Sequence, residues 1–394
     1  MRIAVWVTGA LALAALIGPT ARPGAADEPP IVIGMELGLS PPADPGLGQL
    51  CRRGAEIGVE YVNDVLGGVL GRKVQISVQD TQAKNEAGIA AYRRLVTEEK
   101  AVVVSGFAYS SENIAVNEVA KELGVPTLSS QAGAADVTAK HYDVAFRTHA
   151  IDPLRAATWL GWIKKMNYKK ISILAVTTDY GIGLISETEN QNKAKKLGLE
   201  IQSLTYDQTV NDLTPQLLQV KAFKPDAILN VGVGQMLDLM VDQAATLGLQ
   251  DTPMLISYDA PVRPQWWQLH AQDGLIYFIA YYSPQQKLSD IGTWYAKRYQ
   301  EKFKDLPVYS DLNCFADIAI IAQAITQAKS TDPNAITTAL ETGKFTGWAA
   351  GDVTFPRTEG VFWHNWSPPM QILHYTKPNQ DWRTAEVAYS PPAN

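Results

Sequence analysis

Two short runs of small, hydroxyl-bearing residues are the part of this chain best suited to chemistry. Ser110-Ser111 follows the apolar run Val102-Val103-Val104 and the turn Ser105-Gly106. Apolar residues then fall at Ile114, Val116, Val119, Ala120 and Leu123, before Gly124. The pattern is a buried strand, a turn, and a helix stopped by glycine. A second strand, Val125 to Leu128, runs into Ser129-Ser130-Gln131-Ala132-Gly133-Ala134. In a parallel α/β sheet both loops lie at the carboxyl ends of strands, where ligands bind. A helix N-terminus offers free N–H groups and a positive dipole end, so the Ser110 loop suits an anion. The Ser110 hydroxyl serves equally as a ligand donor or as a helix N-cap. The second loop offers backbone N–H groups with little bulk. Together they suit reversible capture of a small carboxylate.

Bond-making chemistry finds no support. His141, His149, His270, His364 and His374 show no metal-ligand spacing, and HExxH and CxxC are absent. There is no G-x-S-x-G elbow and no phosphate-binding Walker loop. Gly232-Val233-Gly234 and Gly181-Ile182-Gly183 each lack the third glycine of a dinucleotide fingerprint. No enzyme, metal or cofactor is expected. A net charge of −6 argues against nucleic acid as a partner. The two cysteines, Cys51 and Cys314, are too few for a disulfide scaffold. They are read as two buried thiols, with one bridge as the alternative that export permits.

The N-terminus reads as a secretory leader: Arg2, an apolar Ile3 to Ile17, then Gly24-Ala25-Ala26 before a cut near Asp27. No later stretch is long and apolar enough to span a bilayer. Export to the periplasm and a monomeric state are expected.

The elements that must position the two loops follow an α/β rhythm. A strand is expected over Ile31 to Leu39, and a Pro-rich loop over Ser40 to Gly46. A helix is expected over Cys51 to Val65, a strand over Val74 to Val78 and a helix over Glu86 to Glu99. Beyond Ile151 the rhythm recurs. Gly71-Arg72-Lys73-Val74-Gln75-Ile76 is echoed by Gly198-Leu199-Glu200-Ile201-Gln202-Ser203. Strand–turn–helix–Leu123-Gly124–strand is echoed by strand–turn–helix–Leu247-Gly248–strand. Two homologous lobes are implied. The tail from Gly347 reads as β-rich.

The order strand–SGFxxSS–helix–LGVPTLSS–QAGAxxxT resembles the periplasmic substrate-binding proteins of the leucine/isoleucine/valine-binding type, which serve ABC importers. The resemblance implies a two-lobed type I fold of mainly parallel sheets flanked by helices. It puts three hinge crossings near Arg147, Ala280 and Trp348, giving one lobe of 27–147 plus 281–347 and another of 148–280 plus 348–394. It implies an ABC permease and its ATPase as partners, with a ligand-sensing module for a signalling partner as the alternative.

By the same resemblance Ser110, with Ser111 beside it, meets the ligand carboxylate, and Ala132 contributes a backbone contact. Gly133 stands where amino-acid binders often carry Thr, a departure that weakens the case for an α-amino acid. Tyr180 closes over the ligand from the second lobe. Leu47 and Val233 fall at wall positions that are commonly aromatic, so the side-chain space is expected to be wide. Asp259, at the end of a second-lobe strand, either binds a ligand amino group or caps a turn, and Tyr258 competes for the same place. Hydrophobic amino acids, aromatic or aliphatic carboxylates, keto acids and short amides all remain open as ligands.

Overall fold

Each half of the repeat builds its own sheet. The computed structural model describes residues 28–263 and 276–392. The leader read at residues 1–26, and Trp266, Trp267 and His270, lie outside the described residues. Strands β1 (Ile31–Leu37), β2 (Val74–Asp80), β3 (Val103–Ser105), β4 (Thr127–Ser129) and β5 (Ala145–Arg147) pair in parallel in the order β2-β1-β3-β4-β5. Strands β6 (Lys170–Val176), β7 (Glu200–Tyr206), β8 (Ala227–Val231), β9 (Met254–Ile256) and β10 (Ile276–Ala280) repeat it in parallel as β7-β6-β8-β9-β10. The shared order is the structural form of the internal repeat. The inner strands are buried along nearly their whole length because helices cover both faces.

The chain after β10 returns to the first lobe. The helices Asp290–Phe303 and Tyr309–Ala328 both pack against the first-lobe helix Pro45–Glu60. The hairpin β11 (Phe345–Thr346) and β12 (Asp352–Val353) also packs on Tyr309–Ala328. Phe355 meets Phe146 edge-on, and the Val361 carbonyl accepts from the Thr138 hydroxyl. Asn365 then bridges to Arg147, and β13 (Gln371–His374) and β14 (Glu386–Tyr389) extend the second sheet antiparallel beyond β10. We therefore draw the third crossing at Asn365–Trp366 instead of Trp348.

One helix begins earlier than its apolar spacing predicts. Pro45–Glu60 takes Asp44 as N-cap, which accepts from the N–H groups of Gly46 and Leu47 at 3.0 and 3.3 Å. Pro45 sits in the first turn, where its missing N–H costs nothing. In the second lobe, Asp179–Ala194 starts on a Thr178 cap, which places Tyr180 in its first turn. The two cysteines correct the thiol expectation: Cys51 and Cys314 are disulfide-bonded. Residues 263 apart in sequence meet because their helices pack face to face in the first lobe.

Candidate functional site

A cavity of about 160 Å³ lies between the lobes, and both βα-loop sets contribute to it. Ser110 is the first residue of its helix, whose N-cap position belongs to Tyr109 without a capping side chain. The N-cap reading of Ser110 is therefore replaced by another contact. Its Oγ accepts from the Ala134 N–H at 3.1 Å, which ties the two small-residue loops together and leaves its own O–H to donate. Below them Asp317 accepts from the hydroxyls of Ser130 and Thr148, each at 2.6 Å, and Asn313 donates to the Ser130 carbonyl at 2.7 Å. The loops are thus held from beneath by the buried helix Tyr309–Ala328.

Of the residues expected from sequence, Ser110, Ser111, Gly133, Tyr180, Asp259, Leu47, Val233 and Tyr258 line this cavity. Ser111 turns its hydroxyl oxygen to the opposite lobe, accepting from the Asp179 N–H at 3.3 Å. Ala132 does not line the cavity: it is fully buried, and its carbonyl turns away to accept from Arg147 at 3.3 Å. Gln131 and Gly133 form the wall there. The Tyr180 hydroxyl pairs with Ser257 at 2.6 Å, which fixes the ring at the cleft. Asp259 is buried and its Oδ2 has no hydrogen-bond partner, so it does not cap the following turn. Burial pushes its pKa up to about 6, against the pull of Arg263.

Sequence reasoning missed Arg155. It is 2% exposed yet lines the cavity from the helix Asp152–Lys165. Its guanidinium donates to His149 Nε2, and an Nη lies 3.4 Å from Asp152. Tyr180 and Tyr281 offer ring faces to it at 5.2 and 5.8 Å. An arginine can only donate, so His149 Nε2 accepts, and its Nδ1–H donates to the Tyr309 hydroxyl at 2.7 Å. Burial, then Arg155 and Arg147, hold the His149 pKa well below its ordinary value, which keeps the imidazole neutral for that role. Burial opposes the charge on Arg155, but Tyr281, Tyr180 and Asp152 overcome it and raise its pKa above the usual value. Burial lifts Asp152 to about 7, against Arg155 and Arg147. In sequence Arg155 reads as one more charge on an amphipathic helix. Its position just after the Arg147 crossing was the available signal.

A second missed feature joins the lobes at the cleft. Arg263 grips Asp44 with two bonds, 2.6 and 3.1 Å, from opposite lobes. With the Ser111–Asp179 contact it describes a closed arrangement. Five tyrosines, Tyr109, Tyr180, Tyr258, Tyr281 and Tyr309, face the enclosed space. Among the described residues no cluster of His, Cys, Asp or Glu could hold a metal ion. The arrangement supplies donors for an anion, aromatic faces for an apolar body and one spare acceptor. It does not supply a nucleophile paired with a base.

Known proteins carry the same architecture. The sequence profile of the periplasmic binding protein family matches residues 30–372. Leu/Ile/Val-binding protein homolog 3 of Brucella melitensis is 25% identical over 334 residues, covering 83% of this chain and 88% of that protein. The branched-chain amino acid transporter substrate-binding protein LivJ of Streptococcus pneumoniae, solved with isoleucine, superposes with a TM-score of 0.78. It is 23% identical, covering 92% of this chain and 100% of that one. An ABC transporter solute-binding protein of Rhodopseudomonas palustris, solved with benzoate, superposes with a TM-score of 0.77. It is 18% identical, covering 93% of this chain and 98% of that one.

Proposed function

Because the chain belongs to the periplasmic binding protein family, whose members bind solutes and are not enzymes, we propose that it captures a small carboxylate-bearing solute between its lobes. The reading extends to delivery of that solute to an ABC permease and its ATPase from the periplasm, following cleavage of the N-terminal leader. The observation that carries it is the convergence on one cavity of Ser110, with its O–H free to donate, and the buried guanidinium of Arg155. A carboxylate there accepts from both lobes, so it favours the closed form. A ligand shifts the open–closed balance only by its preference for one state. Closure also expels water, which strengthens every polar contact inside. No described helix is long and apolar enough to cross a membrane.

The ligand body is a hydrophobic amino acid or an aromatic or aliphatic carboxylate. Relatives named for leucine, isoleucine and valine favour the first, and the benzoate-bound neighbour favours the second. A thermal-shift screen over these classes tests the reading, because a tight ligand raises apparent stability by mass action. Ser110→Ala is expected to weaken the best hit by about 1.5–3 kcal/mol, the scale of a hydrogen bond to a charged group. Unchanged affinity in calorimetry removes Ser110 from the site, and a screen in which no carboxylate raises the melting temperature removes the function.

A further inference from the structure

Gly133 and Arg155 share one volume. A Cβ built on Gly133 would stand 2.6 Å from Arg155 Nη2 and 2.8 Å from its Cζ. The absent side chain is what lets a second-lobe guanidinium lie against a first-lobe loop. The guanidinium is held there by His149, Asp152 and two tyrosine rings. Its Nε is nevertheless without a hydrogen-bond partner, and the buried Tyr281 hydroxyl, whose oxygen faces the same guanidinium, has no acceptor for its own O–H, although both residues line the cavity. Buried donors left unpaired beside a cavity are costly unless something there accepts from them.

We infer that Arg155, Tyr281 and Ser110 form a clamp across the Gly133 loop that selects carboxylates without an α-ammonium group, so that 2-oxo acids and aryl carboxylates bind and α-amino acids are rejected. The inference rests on the carboxylate-capture reading and narrows its ligand class. An α-ammonium is two bonds from the carboxylate carbon. A carboxylate held by Arg155 therefore brings the ammonium within roughly 5 Å of the same guanidinium, where like charges repel once water is excluded; Asp152, 3.4 Å from that guanidinium with its pKa lifted to about 7 by burial, offsets the charge only in part. Asp259 is the feature that would offset this. It opens the tight turn Ala260–Val262, with its carbonyl accepting from the Val262 N–H at 3.1 Å, and that turn leads straight into Arg263 and its bond to Asp44, so it stands toward that side of the cavity. There its unpaired Oδ2 accepts from a donor at the ligand's other end, such as a ring hydroxyl.

Matched pairs test the discrimination by titration calorimetry on the full mature chain: phenylpyruvate against L-phenylalanine, and 4-methyl-2-oxopentanoate against L-leucine. 4-Hydroxybenzoate against 4-hydroxybenzamide reports separately on the carboxylate. The oxo acid is expected to bind at least tenfold more tightly than its amino partner, and 4-hydroxybenzoate at least tenfold more tightly than its amide. R155Q is expected to erase the oxo-over-amino preference by weakening the oxo acid at least tenfold. Because R155Q removes a buried group and can impair folding, G133A is measured alongside it. Its methyl group displaces the guanidinium while leaving the arginine in place, and the same loss of preference is expected. An amino acid that binds as tightly as its oxo partner overturns the clamp and leaves carboxylate capture standing. A folded R155Q or G133A that keeps the preference also overturns the clamp. Binding of the amide with no binding of any acid overturns both readings.

Discussion

Arg263→Met tests whether the pair at the cleft mouth holds the lobes closed. The substitution keeps the aliphatic stem and removes both bonds to Asp44. Asp44 keeps its other task, since it still caps the helix Pro45–Glu60 through Gly46 and Leu47. The fold should therefore survive. The side chains are 21% and 8% exposed, so the pair is neither a solvated surface bridge nor a dry one. Removing one partner of a fully buried pair costs about 3–5 kcal/mol, and an exposed pair is worth about 0–1. The intermediate exposure gives about 1–3 kcal/mol. The contact joins opposite lobes, so the loss falls on the closed form, and ligand affinity should drop about 5- to 150-fold. Calorimetry on the tightest screened carboxylate measures it. Asp44→Asn, which retains a capping side chain, should lose a similar amount, and the double variant should lose less than the sum. Unchanged affinity in Arg263→Met, or losses that simply add, would refute an interlobe latch.

Other outcomes follow from the same geometry. The folded pKa of Asp259 stands at about 6 against an ordinary 3.8. A raised carboxyl pKa stabilises only below the unfolded value, and that contribution is lost as pH rises through the folded one. In the unliganded protein Asp259→Asn should therefore raise stability by about 2–3 kcal/mol at pH 8 and by little at pH 4; denaturant melts at the two pH values check the sign. Replacing Cys51 and Cys314 together with Ala opens a loop closed over 263 residues. The chain-entropy estimate is a loss of about 5–6 kcal/mol, read as a lower denaturation midpoint that reductant no longer affects. Val233→Trp places bulk in the cavity wall, and should weaken aryl carboxylates at least tenfold more than acetate-sized ones in competition titrations, about 1.4 kcal/mol of discrimination.

What the sequence made legible was local and periodic. The strand–turn–helix around Ser110 could be read because apolar spacing, Gly106 and Gly124 each carry a local meaning. The repeat could be read because it preserves order, and both sheets adopt one strand order in consequence. Features that depend on two distant segments meeting were not legible. Nothing near Cys51 announces Cys314, and the bridge exists because two helices pack in the first lobe. Arg155 in Asp152-Pro153-Leu154-Arg155 has the look of a solvated charge, and only the closed lobes show it lying on Gly133. The same holds for Asp44 and Arg263. The helix start at Pro45 was hidden for a different reason: three prolines nearby read as a loop, whereas one of them opens a capped helix. Ala132 was misplaced because a loop's alternating peptide orientations cannot be counted from composition. Arg147 turns its carbonyl inward, and its neighbours face the cleft instead.

The most direct test is a crystal structure of the protein with the tightest carboxylate from the screen. The account predicts the carboxylate between the lobes, within hydrogen-bond distance of Ser110 Oγ and of the Arg155 guanidinium, with the Asp44–Arg263 pair closed over it. A ligand bound elsewhere, or one in the cleft with its carboxylate turned away from both residues, would contradict it.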